Sequence, residues 1–387
     1  METSNISVFD NTSDTTVSLD FEKFPAVGHD IIGGLLVITM LVGICTNSFG
    51  ILIFVKHKHL RSPTNLFIAS LALCDLLMLV TATPLPMASS FAHRWVWGYA
   101  GCVFEGFLVY FLGLTSLYLL CAISVDRYIV IALPLKNAMV NQRVAKFSIM
   151  GCYVLGFFWA MLPLLGWNSY QLEGLMTSCS VLWDTSNPKD YSYNVVIFFT
   201  CFVFPVIVMC YCYYQVYRTV RVISRNNKWD SSSRMAKRKM KAERKISITI
   251  LMMIGVYFGS WMPYAVVSFW AAFGNASDIP LVVAGIPPYV AKTASVWNPI
   301  IYICTNKQFR KAFFDILPCD IGWRNSVQST EMVNVASARV GAIVNPEVTL
   351  CKQSECPDVS NPTRESNMYS GDGKKCTDDG IEEILVE

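Results

Sequence analysis

One amine in this chain lies where an amine is costly. Pro280 to Cys304, PLVVAGIPPYVAKTASVWNPIIYIC, is an apolar run whose only ionisable charge is Lys292. A lysine at the middle of a bilayer-spanning helix costs roughly 2.5–3.5 kcal/mol even on lenient insertion scales. Lys292 is about eight or more residues from either end of the run. At about 1.5 Å per residue that is too deep for the ammonium to reach a headgroup. The side chain is therefore a functional amine or half of a structural ion pair, and either role needs an acid. An isolated buried lysine tends to lose its proton and an isolated buried glutamate to gain one. The carboxylates inside apolar stretches are Asp75 and Glu105, with Asp126 and Arg127 at the edge of one stretch. Glu105 is the nearest plausible partner for Lys292.

The elements that must position these groups follow from composition. The chain is 53% hydrophobic and 15% charged, with mean hydropathy +0.41, which favours a membrane protein over a soluble enzyme. Seven apolar segments are long enough to cross a bilayer, at about 20 residues or more each. They run over 31–55, 64–87, 100–131, 147–166, 193–217, 246–273 and 281–304. The expected fold is an all-α membrane protein, a seven-transmembrane helix bundle with a short amphipathic eighth helix. The expected organisation is an extracellular tail over 1–30, the bundle over 31–304, a membrane-surface helix over 305–319 and a disordered cytoplasmic tail over 320–387.

Basic residues set the orientation. Lys56, Lys58 and Arg61, then Lys136, Arg143 and Lys146, then the block from Arg234 to Lys245 all fall on one face, which the positive-inside rule makes cytoplasmic. The sequons at Asn5, Asn11 and Asn275 all fall on the other face and are candidate glycan acceptors. So do Cys102 and Cys179, in an oxidising compartment where a disulfide between them would tether the loop over the bundle. Most other cysteines lie within spans, where a thiol acts as a small hydrophobe.

Local signals refine the segments. Ser62-Pro63 marks a turn and Pro84-Leu85-Pro86 a kink; Pro205 and Pro263 bend later spans, with Trp261 beside the second bend. Phe309, Phe313 and Phe314, set against Lys307, Gln308, Arg310 and Lys311, describe a helix lying on a membrane surface in contact with lipid. Cys319 behind it is a candidate palmitate acceptor. Ser326, Ser329, Thr330 and Ser337 offer the tail's hydroxyls to kinases.

Asn47, Asp75, Asp126-Arg127-Tyr128, Trp261-Met262-Pro263-Tyr264 and Asn298-Pro299-Ile300-Ile301-Tyr302 together resemble the rhodopsin-like G-protein-coupled receptors, over roughly residues 31–319. Within them, Lys292, six residues before Asn298, looks like the retinal-attachment lysine of the opsins. The resemblance implies a light-activated receptor in which Lys292 condenses with retinal, a reaction that suits a buried amine. The 11-cis form is implied, or the all-trans form if the protein acts as an isomerase. By the same resemblance Glu105 and Glu173 are counterion positions, Gly113, Trp261 and Tyr264 border the polyene, and Asn47 and Asp75 belong to a polar network. Arg127 pairs with Asp126 and with Glu243; when the latter pair breaks, Tyr213 and Tyr302 refill the gap and a cleft opens for a heterotrimeric G protein. Arrestin and receptor kinases are implied at the tail.

Two branches of the family are represented. Asn306-Lys307-Gln308 is similar to the ciliary opsins, which act on inhibitory-type or transducin-type G proteins. Trp270-Ala271-Ala272-Phe273-Gly274 and His93-Arg94-Trp95-Val96 resemble the peropsin and neuropsin branch, which includes retinal photoisomerases. Beside the photoreceptor stand two further readings: a photoisomerase of peropsin type with little signalling, and a receptor for a diffusible ligand. The chain shows no hydrolase, metal or nucleotide pattern, and no nucleic-acid partner is expected.

Overall fold

The structure, a computed structural model, describes residues 24–133, 140–225 and 234–316. All belong to the unit Met1–Asp320; nothing is described of the second unit, Ile321–Glu387. Asn5, Asn11, Lys136, Cys319 and the expected tail 320–387 lie outside the described residues.

Helix α1 (Ala26–Lys56) starts inside the segment expected to be a tail. Helix α2 (Pro63–Leu77) begins where Ser62 Oγ accepts from the Asn65 amide at 3.2 Å, with Pro63 in the first turn, where its missing N–H costs nothing. A π turn over Met78–Ala82 and Pro84 separate it from α3 (Pro84–Phe91), so the kink falls where the prolines cannot donate. Helix α4 (Gly98–Ala132) touches α2, α5 (Gln142–Leu164), α7 (Phe204–Arg225) and α8 (Arg234–Phe273), which makes it the central post. Helix α6 (Pro188–Phe198) runs into α7 through a second π turn, Phe199–Val203, just ahead of Pro205.

Among the described residues, six helical stretches are long and apolar enough to cross a membrane. The seventh, expected as one span over 281–304, is three consecutive helices: α9 (Leu281–Gly285), α10 (Pro287–Lys292) and α11 (Ala294–Thr305). Pro287 and Pro288 supply no amide donors at the first break. At the second, Thr293 turns both its amide (3.0 Å) and its hydroxyl (2.7 Å) onto the Val290 carbonyl, a tighter turn than an α-helix makes. This second break directly follows Lys292. Helix α12 (Lys307–Ile316) falls within the expected surface helix; Phe309 packs on Tyr302 (4.8 Å) and Phe54 (5.2 Å), while Lys307 and Gln308 are exposed.

Between α5 and α6 the chain forms a hairpin, β1 (Tyr170–Glu173) antiparallel to β2 (Ser178–Val181), with Leu172 opposite Cys179. Its turn carries Gly174 at φ +52°, a left-handed conformation that glycine adopts without strain. A Cβ there would stand 2.7 Å from the Gly285 Cα, so only glycine lets the turn meet α9 this closely. Cys179 is joined to Cys102 at the start of α4, with Cα atoms 5.4 Å apart. Loss of such a bridge typically costs about 2–5 kcal/mol.

Candidate functional site

The bridge presses β2 onto the first turns of α4 and so places the hairpin against Glu105. The Cys179 amide donates to Glu105 Oε2 at 2.7 Å. The other carboxylate oxygen faces Lys292, whose Nζ lies 3.3 Å from Glu105 Oε1. Both side chains are enclosed, at 2% and 0% exposure, so the pair has no water to screen it. The ammonium also lies 5.8 Å over the Tyr289 ring.

Ser178 completes the contact. Lys292 Nζ donates to Ser178 Oγ at 3.0 Å. That hydroxyl has one proton and two carboxylate acceptors, Glu105 Oε1 at 3.4 Å and Glu173 Oε1 at 3.5 Å. Glu173 also accepts from the Tyr264 hydroxyl at 3.2 Å. Burial pushes the Glu173 carboxyl above the usual range, and the charge of Lys292 opposes that rise. The site is thus an amine with one carboxylate in direct contact and a second reached through a hydroxyl.

Beside the amine lies an apolar hollow. One part, about 320 Å³, is lined by Glu173, Cys179, Ser180, Ala291 and Lys292 among others; the larger, about 810 Å³ and partly open to the outside, is lined by aromatic residues of α4, α6 and α8. The two parts are neighbours and share Val109, Tyr110, Trp261 and Tyr264 as walls. Trp261, which lines both, is stacked on Tyr257 (5.9 Å) and edge-on to Tyr264 (6.1 Å). A Cβ on Gly113 would come 3.0 Å from the Trp261 ring, so Gly113 leaves the indole room to lie flat. Trp261 Nε1 is buried without a partner. An apolar aldehyde with its carbonyl at Lys292 fits this arrangement: Glu173, Ser180 and Lys292 line the part at the amine, and aromatic and aliphatic side chains line the larger part next to it.

At the far end of α4, Arg127 lies 2.7 Å from Asp126 Oδ2 and 2.7 Å from Glu243 Oε2 on α8. Thr64 joins this group, donating to Asp126 at 2.8 Å and accepting from Arg127. Tyr128 is apart from it, edge-on to Tyr211 at 5.9 Å. Midway, Asn298 donates to Asp75 at 2.8 Å, and Asn47 donates to the Ser295 carbonyl at 2.8 Å, joining α1, α2 and α11. Pro299 lies inside α11. Tyr302 donates to Asn65 at 2.6 Å, Tyr213 packs against the core, and Asn306 caps α12 by accepting from the Gln308 amide at 3.0 Å.

Residues 46–302 match the family described as 7 transmembrane receptor (rhodopsin family). The visual pigment-like receptor peropsin of Mus musculus is 32% identical over 296 residues, covering 76% of this chain and 87% of its own. A protein of Mizuhopecten yessoensis named rhodopsin, GQ-coupled, is 32% identical over 396 residues, covering 94% of this chain and 79% of its own. The chain belongs to the opsins of the rhodopsin receptor family. The crystal structure of squid rhodopsin superposes with a TM-score of 0.71 at 28% identity, over 77% of this chain and 87% of that one. This opsin is accordingly a multi-pass membrane protein and a light-sensing G-protein-coupled receptor with a retinal chromophore.

Several residues in contact with the site have no motif of their own. Ser178 and Trp183 are ordinary loop residues in sequence, and Tyr257, which donates to the Gly113 carbonyl at 2.9 Å, reads as one more apolar residue of its span. Thr64 and Asn65 stand in a turn signal. For Ser178 a clue was present: its neighbour Cys179 is tied to α4 three residues before Glu105.

Proposed function

We propose that Lys292 is the retinal attachment point, that Glu105 is its main counterion and Glu173 the second, and that light absorbed there drives nucleotide exchange on a heterotrimeric G protein. The observation that carries this reading is the enclosed amine 3.3 Å from Glu105, opening onto an apolar hollow that reaches Trp261. Retinal, in the 11-cis form in darkness, supplies the absorption of visible light and a change of shape. The chain does the rest. Glu105 holds a fixed negative charge beside the nitrogen, with the Cys179 amide keeping its second oxygen in place. Trp261 and Gly113 grip the space where a shape change acts, and Pro263 gives α8 a point to bend. Movement of α8 separates Glu243 from Arg127 and exposes the groups around them.

The N-terminus faces outward and the C-terminus the cytoplasm, as the basic connections require. Asn275, exposed in the turn before α9, is a glycan acceptor on the outer face. Arrestin and receptor kinases act at the tail. Asn306-Lys307-Gln308 supports a G protein of inhibitory or transducin type; likeness to the GQ-coupled rhodopsin of Mizuhopecten yessoensis supports the Gq type instead. The test is nucleotide exchange, in light and dark, by the retinal-loaded protein with each G protein class. Absence of light-dependent exchange with every class removes the receptor reading.

Likeness to peropsin favours a second reading, photoisomerase activity. It predicts that protein loaded with all-trans-retinal releases the 11-cis form in light, measured by extraction and chromatography, with little exchange.

A further inference from the structure

Trp183 lies two residues beyond β2 and outside every motif discussed above. Its Nε1 is 3.0 Å from the Tyr264 hydroxyl, and the two rings meet edge to face at 6.3 Å. Tyr264 in turn is 3.2 Å from Glu173 Oε2. Trp183, Tyr264 and Glu173 therefore form a chain that leaves the hairpin, crosses to α8 beside Pro263 and returns to the hairpin.

The direction of that chain follows from the chemistry of its ends. An indole N–H can only donate, and a carboxylate can only accept. A phenol between them has one proton, and of these two ends the carboxylate is the one that can accept it, as it does at 3.2 Å. The hydroxyls of Ser180, which donates to the Val181 carbonyl at 3.2 Å, and of Ser268 also face Tyr264 and offer its proton other acceptors, against which the bond to Glu173 must compete. The Trp183 N–H occupies an acceptor position on the phenol oxygen, and a hydroxyl that accepts one hydrogen bond donates a stronger one.

We propose that Trp183 is a positioning residue for the second counterion: its indole N–H strengthens the hydrogen bond that the Tyr264 hydroxyl donates to Glu173 and so favours the ionised carboxylate. Because Tyr264 rides on α8 next to the Pro263 bend, the same chain links the charge of Glu173 to the position of that helix. The proposal rests on retinal being held at Lys292. The other titratable or charged groups around Glu173 are Lys292, Glu105 and Tyr289, and none of them is replaced in the test.

The experiment is a dark absorbance titration with pH of the full-length protein loaded with retinal, comparing the wild type with Trp183→Phe, Tyr264→Phe and Glu173→Gln. Trp183→Phe keeps an aromatic ring and removes the donor. The midpoint of the acid transition should rise in Trp183→Phe, by up to about one pH unit. It should rise further in Tyr264→Phe, and the double variant should match Tyr264→Phe alone. In the Glu173→Gln background, Trp183→Phe should leave the titration unchanged. A wild-type midpoint in Trp183→Phe overturns the proposal, as does a shift that persists without Glu173. Failure of the wild type itself to bind retinal would instead remove the attachment at Lys292. If Trp183→Phe forms no pigment, infrared spectra of indole-¹⁵N-labelled protein decide: Tyr264→Phe should move one tryptophan N–H band to higher frequency, and an unmoved band overturns the proposal.

Discussion

Two buried cations in this molecule are surrounded by the same parts and used differently. Lys292 has Glu105, Glu173 and the hydroxyl of Ser178; Arg127 has Asp126, Glu243 and the hydroxyl of Thr64. Arg127 reaches both its acids directly at 2.7 Å, since a guanidinium offers several donors in one plane. Lys292 touches one acid and meets the second only through Ser178. The Arg127 group opens to the surface at Glu243, which is 24% exposed, whereas the Lys292 pair is shut in. Arginine does not lose its proton in proteins, so its cluster changes only when α8 moves. Lysine can be neutral, nucleophilic or bonded, so its cluster can change chemically while every helix stays in place. On the proposed reading, one site answers to a mechanical event and the other to a chemical one.

The largest test of that difference exchanges the cations. Lys292→Ala should abolish pigment formation, and so should Lys292→Arg, which keeps a positive charge near Glu105 but offers no amine for condensation. Dark absorbance after addition of retinal reads both, and borohydride trapping locates the bond; pigment in either variant would dissolve the distinction between the sites. Next comes Glu105→Gln. Removing one partner of an enclosed pair typically costs about 3–5 kcal/mol, and here it removes the anion that keeps the nitrogen protonated. Absorbance should move into the ultraviolet at neutral pH. If Glu173→Gln makes that move and Glu105→Gln does not, the indirect carboxylate is the main counterion.

At the other cluster the effect should be smaller and should spare the spectrum. Glu243→Gln removes the link between α4 and α8 and leaves Arg127 on Asp126. Partial exposure of Glu243 lowers the cost of losing the pair to about 1 kcal/mol, roughly a five-fold change in the resting balance of states. Dark nucleotide exchange should rise by about that factor with the absorbance maximum unchanged. A spectral shift would mean that the two clusters are coupled at rest.

The sequence made one of these clusters more legible than the other. Lys292 stands out because a charge inside an apolar run has few explanations, and Glu105 follows as its nearest acid. The residues that join these two groups to Glu173 were not readable, because serine and tryptophan in a loop have no periodicity and their contacts depend on how a hairpin folds back. The seventh span shows the same limit. Its hydropathy reads as continuous, but two prolines and a threonine bonded to the Val290 carbonyl break the backbone into three helices, the second break directly after Lys292.

The smallest effect bears on the hydroxyl that makes the Lys292 cluster indirect. Ser178→Ala removes an acceptor from Lys292 and a donor shared by Glu105 and Glu173 at 3.4 and 3.5 Å. These bonds are long, so about 1 kcal/mol is at stake, less than one pH unit of titration. The Glu173 carboxyl already lies above the ordinary range because it is buried, with Lys292 pulling the other way. A group so placed is protonated below its midpoint and charged above it, and losing a donor to the charged form moves that midpoint further up. Absorbance titration of Ser178→Ala should therefore show its acid transition at higher pH than the wild type, by less than about one unit. An unmoved midpoint would mean that Ser178 only fills space and that Glu173 senses Lys292 through its charge alone. The contrast with Arg127 would then be sharper still, with one acid bonded and the other acting only at a distance.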